Sequence, residues 1–270
     1  MSTAQKVIKY VALAFAIFLA VSIIAGIVYG IYSLGEALFG ESDKLDEPVE
    51  LYSGDNPAFK ELSLKINATE IVIKTGDKLT VTTDNKTIKV NEDEETLEIK
   101  DTSKKHVFGN IDTKLTITIP EDYEFTKVKI DAGAGSVYIS KLTADTLDFN
   151  IGAGKTIMEE VTINKKTEID TGAGSVEITK SSFHNLDLDL GAGKFQFEGT
   201  ITGDSEVDCG VGSSSFKLSG KKDDYKLKLE KGVGSLNYDG ESVSNGTYGD
   251  GDNFIDIDGG VGSINISFSE

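Results

Sequence analysis

The chain has 270 residues and a formal net charge of −18, and all 27 of its basic residues are lysine. This balance argues against nucleic-acid binding, which rewards clustered cationic charge. The absence of arginine removes the usual two-pronged clamp for phosphate or carboxylate. The single cysteine excludes an intrachain disulfide framework.

The first 35 residues predict a membrane anchor. Residues 7–35 are overwhelmingly apolar, and the uncharged stretch 11–32 would be about 33 Å long as a helix, enough to span a bilayer. A cleaved signal peptide usually has a shorter apolar core, so we expect an uncleaved, single-pass transmembrane helix. Lysines precede this span and acidic residues follow it. The charge bias places residues 1–6 in the cytoplasm and the bulk of the chain outside the cell membrane.

Small residues recur every fourth position on one face of the predicted helix, at Ser22, Gly26 and Gly30. Such a row allows two helices to approach closely, which would suit a homodimer or a membrane-protein partner. The ordinary small-residue content of membrane helices is the simpler explanation of the same row.

Two segments precede the regular part of the chain. Residues 36–58 are acidic, contain two of the three prolines and lack a strand period, which predicts an acidic linker. Residues 59–120 contain short alternating segments separated by turns rich in asparagine and glycine. They predict an irregular β region that caps the first open edge of the array that follows.

Residues 121–270 are built on a Gly-Ala-Gly or Gly-Val-Gly phrase. Its second glycines are separated by 19, 20, 19, 19, 22 and 28 residues. Apolar and polar residues alternate on both sides of the phrase, which predicts strands with one inward face. The main predicted inward column lies three residues before each first glycine and comprises Ile130, Phe149, Ile169, Leu188, Val207, Leu229 and Ile257.

We predict that each phrase forms a sharp corner. Glycine tolerates backbone conformations that other residues avoid, and the middle residue is small enough to point into a bend. The repeat then predicts an all-β, parallel β-solenoid, resembling a single-stranded β-helix, with coils of about 20 residues. The predicted corner glycines are Gly133, Gly135, Gly152, Gly154, Gly172, Gly174, Gly191, Gly193, Gly210, Gly212, Gly232, Gly234, Gly260 and Gly262.

The order of these segments resembles a known family. Alternating strands lead into residues 119–123 (IPEDY) and then 128–139 (VKIDAGAGSVYI), followed by the repeats. This order is similar to that of the putative-adhesin family of bacterial cell-envelope proteins, a domain family of unknown function. The resemblance covers roughly residues 59–270 and implies a parallel β-solenoid with a role in surface attachment or envelope stress. The corner departs from the family, in which a single Gly-Asp is more usual.

A polar column lies two residues before each first glycine. In a parallel stack its members would line up at about 4.8 Å intervals. Carboxylates this close repel one another, so the column either stays solvated or gathers cations such as Ca²⁺. The spacing lacks the nine-residue period of calcium-binding β-rolls, so we expect a solvated acidic stripe and no bound metal or cofactor. The column comprises Asp131, Asn150, Asp170, Asp189, Asp208, Glu230 and Asp258.

The remaining candidate residues give little support to catalysis. Cys209 lies in an inward-facing column, which predicts a buried small residue and not a reactive thiol. His106 and His184 lie in separate turn-like stretches with no catalytic spacing around either one. Residues 239–253 form an acidic, glycine-rich segment that we interpret as an irregular excursion from the last coil.

The sequence therefore predicts a single-pass bacterial surface protein whose outer part is a non-catalytic binding or adhesion module for an envelope or surface ligand. One alternative is a regulatory component of an envelope-stress response that acts through a membrane partner. A glycan-active β-helix enzyme is a further alternative, against which the absence of arginine counts. An adhesin should bind its target as isolated residues 59–270, whereas a regulator should need the helix.

Overall fold

The structure is a computed structural model that describes residues 43–55, 57–103 and 112–269. The predicted membrane helix of residues 7–35, with its row of small residues, lies outside the described residues, as does His106. Within the described ranges, no helix is long and apolar enough to cross a membrane.

The described residues form one 16-stranded sheet, with a single 3-10 turn at Lys222–Asp224. This confirms the prediction of an all-β fold. The strands are β1 Lys44–Gly54, β2 Glu61–Ala68, β3 Glu70–Gly76, β4 Leu79–Asn85, β5 Ile88–Glu92, β6 Thr96–Asp101, β7 Lys114–Pro120, β8 Glu124–Ile139, β9 Leu142–Glu159, β10 Val161–His184, β11 Leu186–Thr202, β12 Asp204–Ser219, β13 Tyr225–Tyr238, β14 Glu241–Ser242, β15 Gly246–Tyr248 and β16 Asn253–Ser269.

Seven long strands, β8 to β13 and β16, pair in parallel and form what we call the coil array. Each strand continues without interruption through its glycine phrase, and the phrases stay in register, so that Gly174 lies opposite both Gly154 and Gly193. Val161, at the start of β10, lies opposite Leu142, at the start of β9. The chain thus returns to within one strand spacing after each coil, which requires every long strand to bend and fold back.

The stacking order differs from the order in the sequence. The last coil, β16, lies between β12 and β13, and β13 is the outermost coil. The segment that precedes β16 contains β14 and β15, which pair antiparallel with β13. The acidic segment of residues 239–253 therefore covers part of the outer edge of the array, because the chain must cross that end before it inserts β16.

The two arms of each coil enclose a continuous apolar core. All seven members of the predicted inward column are at most 1% exposed, among them Phe149, Ile169 and Leu188. The facing arm contributes residues such as Val176 and Phe195, which are also buried. Burial of a side chain of this size stabilises the fold by about 1.5–3 kcal/mol, so the core is the main source of stability in the array.

The N-terminal strands β1 to β7, which we call the cap, continue the stack and then change its direction. Strands β2 and β3 pair in parallel with β8, and they pair in turn with β6 and β7. Strands β5 and β4 then add to β6 and β7 in the antiparallel sense.

Strand β1 forms the outer edge of the cap, antiparallel to β4. It lies inside residues 36–58, where the sequence predicted a linker without a strand, so residues 44–54 are instead an edge strand. Its pairing with β4 is irregular at two points, and it carries Pro48, Glu47 and Glu50. Proline, charge and irregular pairing all discourage a further strand from adding to an exposed edge. The same features conceal the strand from a search for alternating hydrophobic residues.

Candidate binding surface

The corner glycines are needed for two separate physical reasons. The second glycine of each phrase has a φ between +125° and +147°, a region that residues with side chains rarely adopt. A Cβ on either glycine would also overlap the backbone of the adjacent coil. At Gly174, for example, it would overlap the carbonyl oxygen of Gly154. The coils therefore approach so closely at the corner that only glycine fits.

The middle residue of the phrase is partly exposed on two of the last coils. Val211 and Val233 are 38% and 44% exposed. Both also border a small cavity at the corners, together with side chains of the two arms such as Leu190 and Phe195. That the middle residue points into the bend stays a prediction.

The predicted polar column is brought together in register across the whole array. Asp170, Asp189 and Asp208 lie on adjacent coils, and each is directly opposite the next. Asn150 donates hydrogen bonds from Nδ2 to Asp131 Oδ1 at 3.3 Å and to Asp148 Oδ1 at 2.7 Å. In the order of the coils, the first column is Asp131, Asn150, Asp170, Asp189, Asp208, Asp258 and Glu230.

A second column, which the sequence reasoning missed, lies beside the first. Its members come two residues earlier in each coil and therefore face the same side of the sheet. The same period of two that identified the first column could have found it. In the order of the coils, the second column is Lys129, Asp148, Glu168, Asp187, Glu206, Asp256 and Lys228. We call the two columns together the acidic face; it holds six carboxylates in the first column and five in the second.

Lysines close the second column at both ends. Lys129 forms ion pairs with Asp148 and, at 3.8 Å, with Asp131. Lys228 forms ion pairs with Asp256 at 2.9 Å and Glu230 at 3.3 Å. Hydrogen bonds to Asp148 and to Asp256, respectively, raise the pKa of these two lysines. The excess negative charge is therefore concentrated on the middle coils.

Two aspartates of the middle coils show the effect of this crowding. The pKa of Asp170 is raised, first by partial burial and then by the charge of Asp189. The pKa of Asp208 is raised by partial burial and by the charges of Asp189 and Asp258. Each shift means that the surroundings disfavour the charged carboxylate. The neighbouring carboxylates, which are the second cause of both shifts, would favour a positively charged ligand.

An open groove with a volume of about 750 Å³ runs along the corners beside the first column. Its lining combines glycine backbone, inward-column residues such as Cys209, and the aspartates Asp170, Asp189, Asp208 and Asp258. No group of three or more metal-binding side chains among the described residues is arranged to hold a metal ion. The lining of the groove offers carboxylates and backbone groups to a ligand several coils long.

The other candidate residues lie apart from this surface or are inactive. Cys209 is partly buried beside a cavity of about 40 Å³ beneath the corners, and burial raises the pKa of its thiol. A thiol of raised pKa stays protonated at neutral pH and is a weak nucleophile. His184 lies on the returning arm of its coil, and its Nδ1 is 2.9 Å from Oγ1 of Thr202 on the next coil.

Comparisons with known proteins identify the family. Residues 59–258 match the family model described as Toastrack DUF4097. One similar solved structure is a putative cell adhesion protein from Clostridium sporogenes ATCC 15579, with 18% identity, a TM-score of 0.37, and coverage of 83% of this chain and 100% of that one. Another is a putative adhesin from Bacteroides fragilis NCTC 9343, with 15% identity, a TM-score of 0.33, and coverage of 84% of this chain and 100% of that one. No curated protein matches the chain. Because the family model spans most of the chain, including most of the cap and of the coil array, the chain belongs to the Toastrack DUF4097 family.

Proposed function

We propose that this chain is a membrane-anchored, non-catalytic binding module of the bacterial cell envelope, and that its acidic face holds an extended cationic polypeptide. The observation that carries the proposal is the register of the acidic face. Eleven carboxylates, six in one column and five in the other, stand on one side of seven coils beside an open groove.

The spacing of the charges supports an extended polypeptide as the ligand. Adjacent carboxylates in a column are about 4.8 Å apart, because parallel strands have that separation. Side chains on one side of an extended peptide recur about every 6.8 Å, and the long lysine stem can absorb the difference. At 4 Å, one amine–carboxylate pair is worth about 1–4 kcal/mol over an effective dielectric constant of 80 to 20, so several pairs in a row would give useful affinity.

The backbone supports binding over catalysis. Each coil is held by its neighbours on both sides, so the carboxylates keep fixed positions and a ligand need not order the surface when it binds. In the two columns of the acidic face, carboxylates are accompanied only by lysine and asparagine. Cys209 also lines the groove, but burial raises the pKa of its thiol, which makes it a weak nucleophile.

A binding measurement tests the function. The full chain in lipid nanodiscs would be titrated with a fluorescent peptide of alternating lysine and serine. We expect affinity to fall steeply with salt, and the triple variant Asp170→Asn/Asp189→Asn/Asp208→Asn to bind at least about tenfold more weakly.

The matched control is Glu177→Gln/Asp250→Asn/Asp252→Asn, which removes three exposed carboxylates outside the acidic face. It changes the net charge equally and should bind almost as well as the unaltered chain. Equal losses in the two triple variants would contradict a specific acidic site.

Protease accessibility tests the membrane topology. Because lysines precede the predicted span and acidic residues follow it, protease added to intact protoplasts should remove the bulk of the chain. Full protection of the coil array would overturn an outward location. If removal of residues 1–42 abolished peptide binding by the remaining folded chain, a role that depends on a membrane partner would replace the proposed one.

A further inference from the structure

The chain's own lysines show how the acidic face holds an amine. Lys129 lies in the second column on β8, directly opposite Asp148 of β9. Its Nζ forms an ion pair with Asp148 and another, at 3.8 Å, with Asp131 in the first column of its own coil. One amine therefore contacts a carboxylate from each column.

The same arrangement recurs at the far end of the coil array. Lys228 lies in the second column on β13, directly opposite Asp256 of β16. Its Nζ is 2.9 Å from Asp256 Oδ2 and 3.3 Å from Glu230 Oε1, in the first column of its own coil. Because the two ends are built alike, we expect the amine of a ligand to contact both columns in the same way.

The groove stops short of both lysines. Its lining comes from β9, β10, β11, β12 and β16, and no described residue of β8, which carries Lys129, or of β13, which carries Lys228, takes part in it. On β13 a second lysine, Lys231, takes the position that Gly259 and Cys209 hold in the groove lining. The open part of the surface thus covers only the coils between the two end lysines.

The carboxylates that remain for a ligand lie on four adjacent coils, β10, β11, β12 and β16. The end lysines pair with four members of the acidic face, and Lys166 pairs with a fifth, Glu168. The other six form no ion pair within the described part of the chain. They are Asp170, Asp187, Asp189, Glu206, Asp208 and Asp258.

The length of this free stretch matches a short peptide. Four coils span about 14 Å, because adjacent parallel strands are about 4.8 Å apart. Side chains on one side of an extended peptide recur about every 6.8 Å, so three of them also cover about 14 Å. A fourth cationic side chain on that side would reach a coil whose carboxylates already pair with Lys129 or Lys228.

We propose that Lys129 and Lys228 are end stops that set the length of the ligand, so that the acidic face takes a segment with three cationic side chains in alternate positions. This proposal rests on the proposed function, because it specifies the ligand of the same surface. A fourth amine can bind only by displacing the amine of an end lysine. Such an exchange replaces one ion pair by another and adds no net attraction.

The test is a series of peptides of alternating lysine and serine that contain two, three, four or five lysines. Each is titrated into the full chain in nanodiscs of zwitterionic lipid. Affinity should rise about fivefold from two lysines to three, as expected for one further exposed ion pair. From three lysines to five it should rise by no more than about threefold, because the longer peptide gains only a choice of three registers.

The double variant Lys129→Met/Lys228→Met frees the four carboxylates that these lysines hold. The peptide with five lysines should then bind at least about tenfold more tightly than the peptide with three. The matched control is Lys114→Met/Lys217→Met, which removes two lysines that form ion pairs outside the acidic face. It changes the net charge equally and should keep the limit at three lysines.

Two results would overturn the length limit and leave the acidic site standing. One is an affinity that climbs as steeply from three lysines to five as from two to three in the unaltered chain. The other is a limit that stays at three in Lys129→Met/Lys228→Met, or that shifts as much in the control. If no peptide of the series binds, both proposals are wrong.

Discussion

The corners of the coil array and the corner of the cap contact their neighbours in different ways. In the interior of the array, a corner has another corner on each side, and glycine is required because the backbones touch. In the cap, the equivalent corner is Asn67-Ala68-Thr69, with Ala68 opposite Ala134. On its outer side it meets side chains: Thr69 Oγ1 lies 2.9 Å from Thr113 Oγ1 and accepts a hydrogen bond from Asn85 Nδ2 at 3.2 Å.

The difference teaches how a stack of coils is stopped. A glycine corner exposes bare backbone to the adjacent coil, so the glycine corner of another coil can stack on it. Thr69 and Asn85 instead fill that space with side chains whose polar atoms bond to one another, and both are at most 4% exposed. A buried network of this kind is stable only when its members find partners, so it marks a position that the repeat cannot pass.

The largest effect should come from a charge inside the array. Ile169→Asp places an unpaired carboxylate in a column that is at most 1% exposed, and should lower the free energy of unfolding by about 3–5 kcal/mol. Thermal and denaturant unfolding would measure this loss. Glu177→Ala, on the exposed face of the same coil, should change stability by no more than about 0.5 kcal/mol. Equal effects would show that the two faces have been assigned wrongly.

The next effect tests the corner. Gly174→Ala forces a side chain into the backbone of the neighbouring coil at a φ of +143°. Strain and overpacking together should cost about 2–5 kcal/mol of stability. The control is Gly240→Ala, since Gly240 has a φ of +84° but open space around its Cβ position. It should lose only the backbone term of about 1–2 kcal/mol. If Gly174→Ala cost no more stability than Gly240→Ala, close approach of the coils would not explain the glycine phrase.

A smaller and more local effect is expected in the cap. Asn85 is 4% exposed and also accepts hydrogen bonds from the backbone N–H and hydroxyl of Thr87. Asn85→Ala removes all of these bonds and should cost about 1–3 kcal/mol. Because the coils interact mainly with their neighbours, hydrogen exchange should accelerate in β4 and β7 before it accelerates in β11 and β12. Uniform acceleration along the whole chain would mean that cap and array unfold as one unit.

The smallest effect concerns pH. The pKa values of Asp170 and Asp208 are raised in the folded chain, first by partial burial and then by the charge of Asp189. Their contribution to stability is therefore fully present below the pKa of an unfolded aspartate and is lost as pH rises through the folded pKa. Asp189→Asn removes the shared neighbour and should raise the melting temperature at pH 7, by about 1–2 °C after solvent screening, and by less at pH 4.

Asp250→Asn is the control for the pH experiment, because Asp250 is exposed and lies outside the acidic face. It should leave the difference between pH 7 and pH 4 unchanged. If Asp189→Asn lowered the melting temperature at pH 7, the carboxylates of the middle coils would not repel one another in the folded chain.

Much of the array could be predicted from the sequence because its determinants are local and repeated. The period of two assigned Ile169 inward and Asp170 outward, and the glycine phrase located every corner. Once one coil is in register, the next must follow, since a slip of one residue would expose the whole inward column. The first column of the acidic face follows from the same register. The membrane anchor, its orientation and the calcium alternative stay predictions.

Other features were decided only by the tertiary structure, because they depend on contacts between distant segments. The position of β16 between β12 and β13 depends on how residues 239–253, which lead into it, cover the open end of the array. The strand at Lys44–Gly54 owes its form to pairing with β4, and its own residues give no alternating signal. Likewise, Lys129 and Lys228 could be recognised as the two ends of one column only once the coils between them were stacked in order. Local periodicity determines what one coil looks like, whereas the free edges and the chain that crosses them decide where each coil lies.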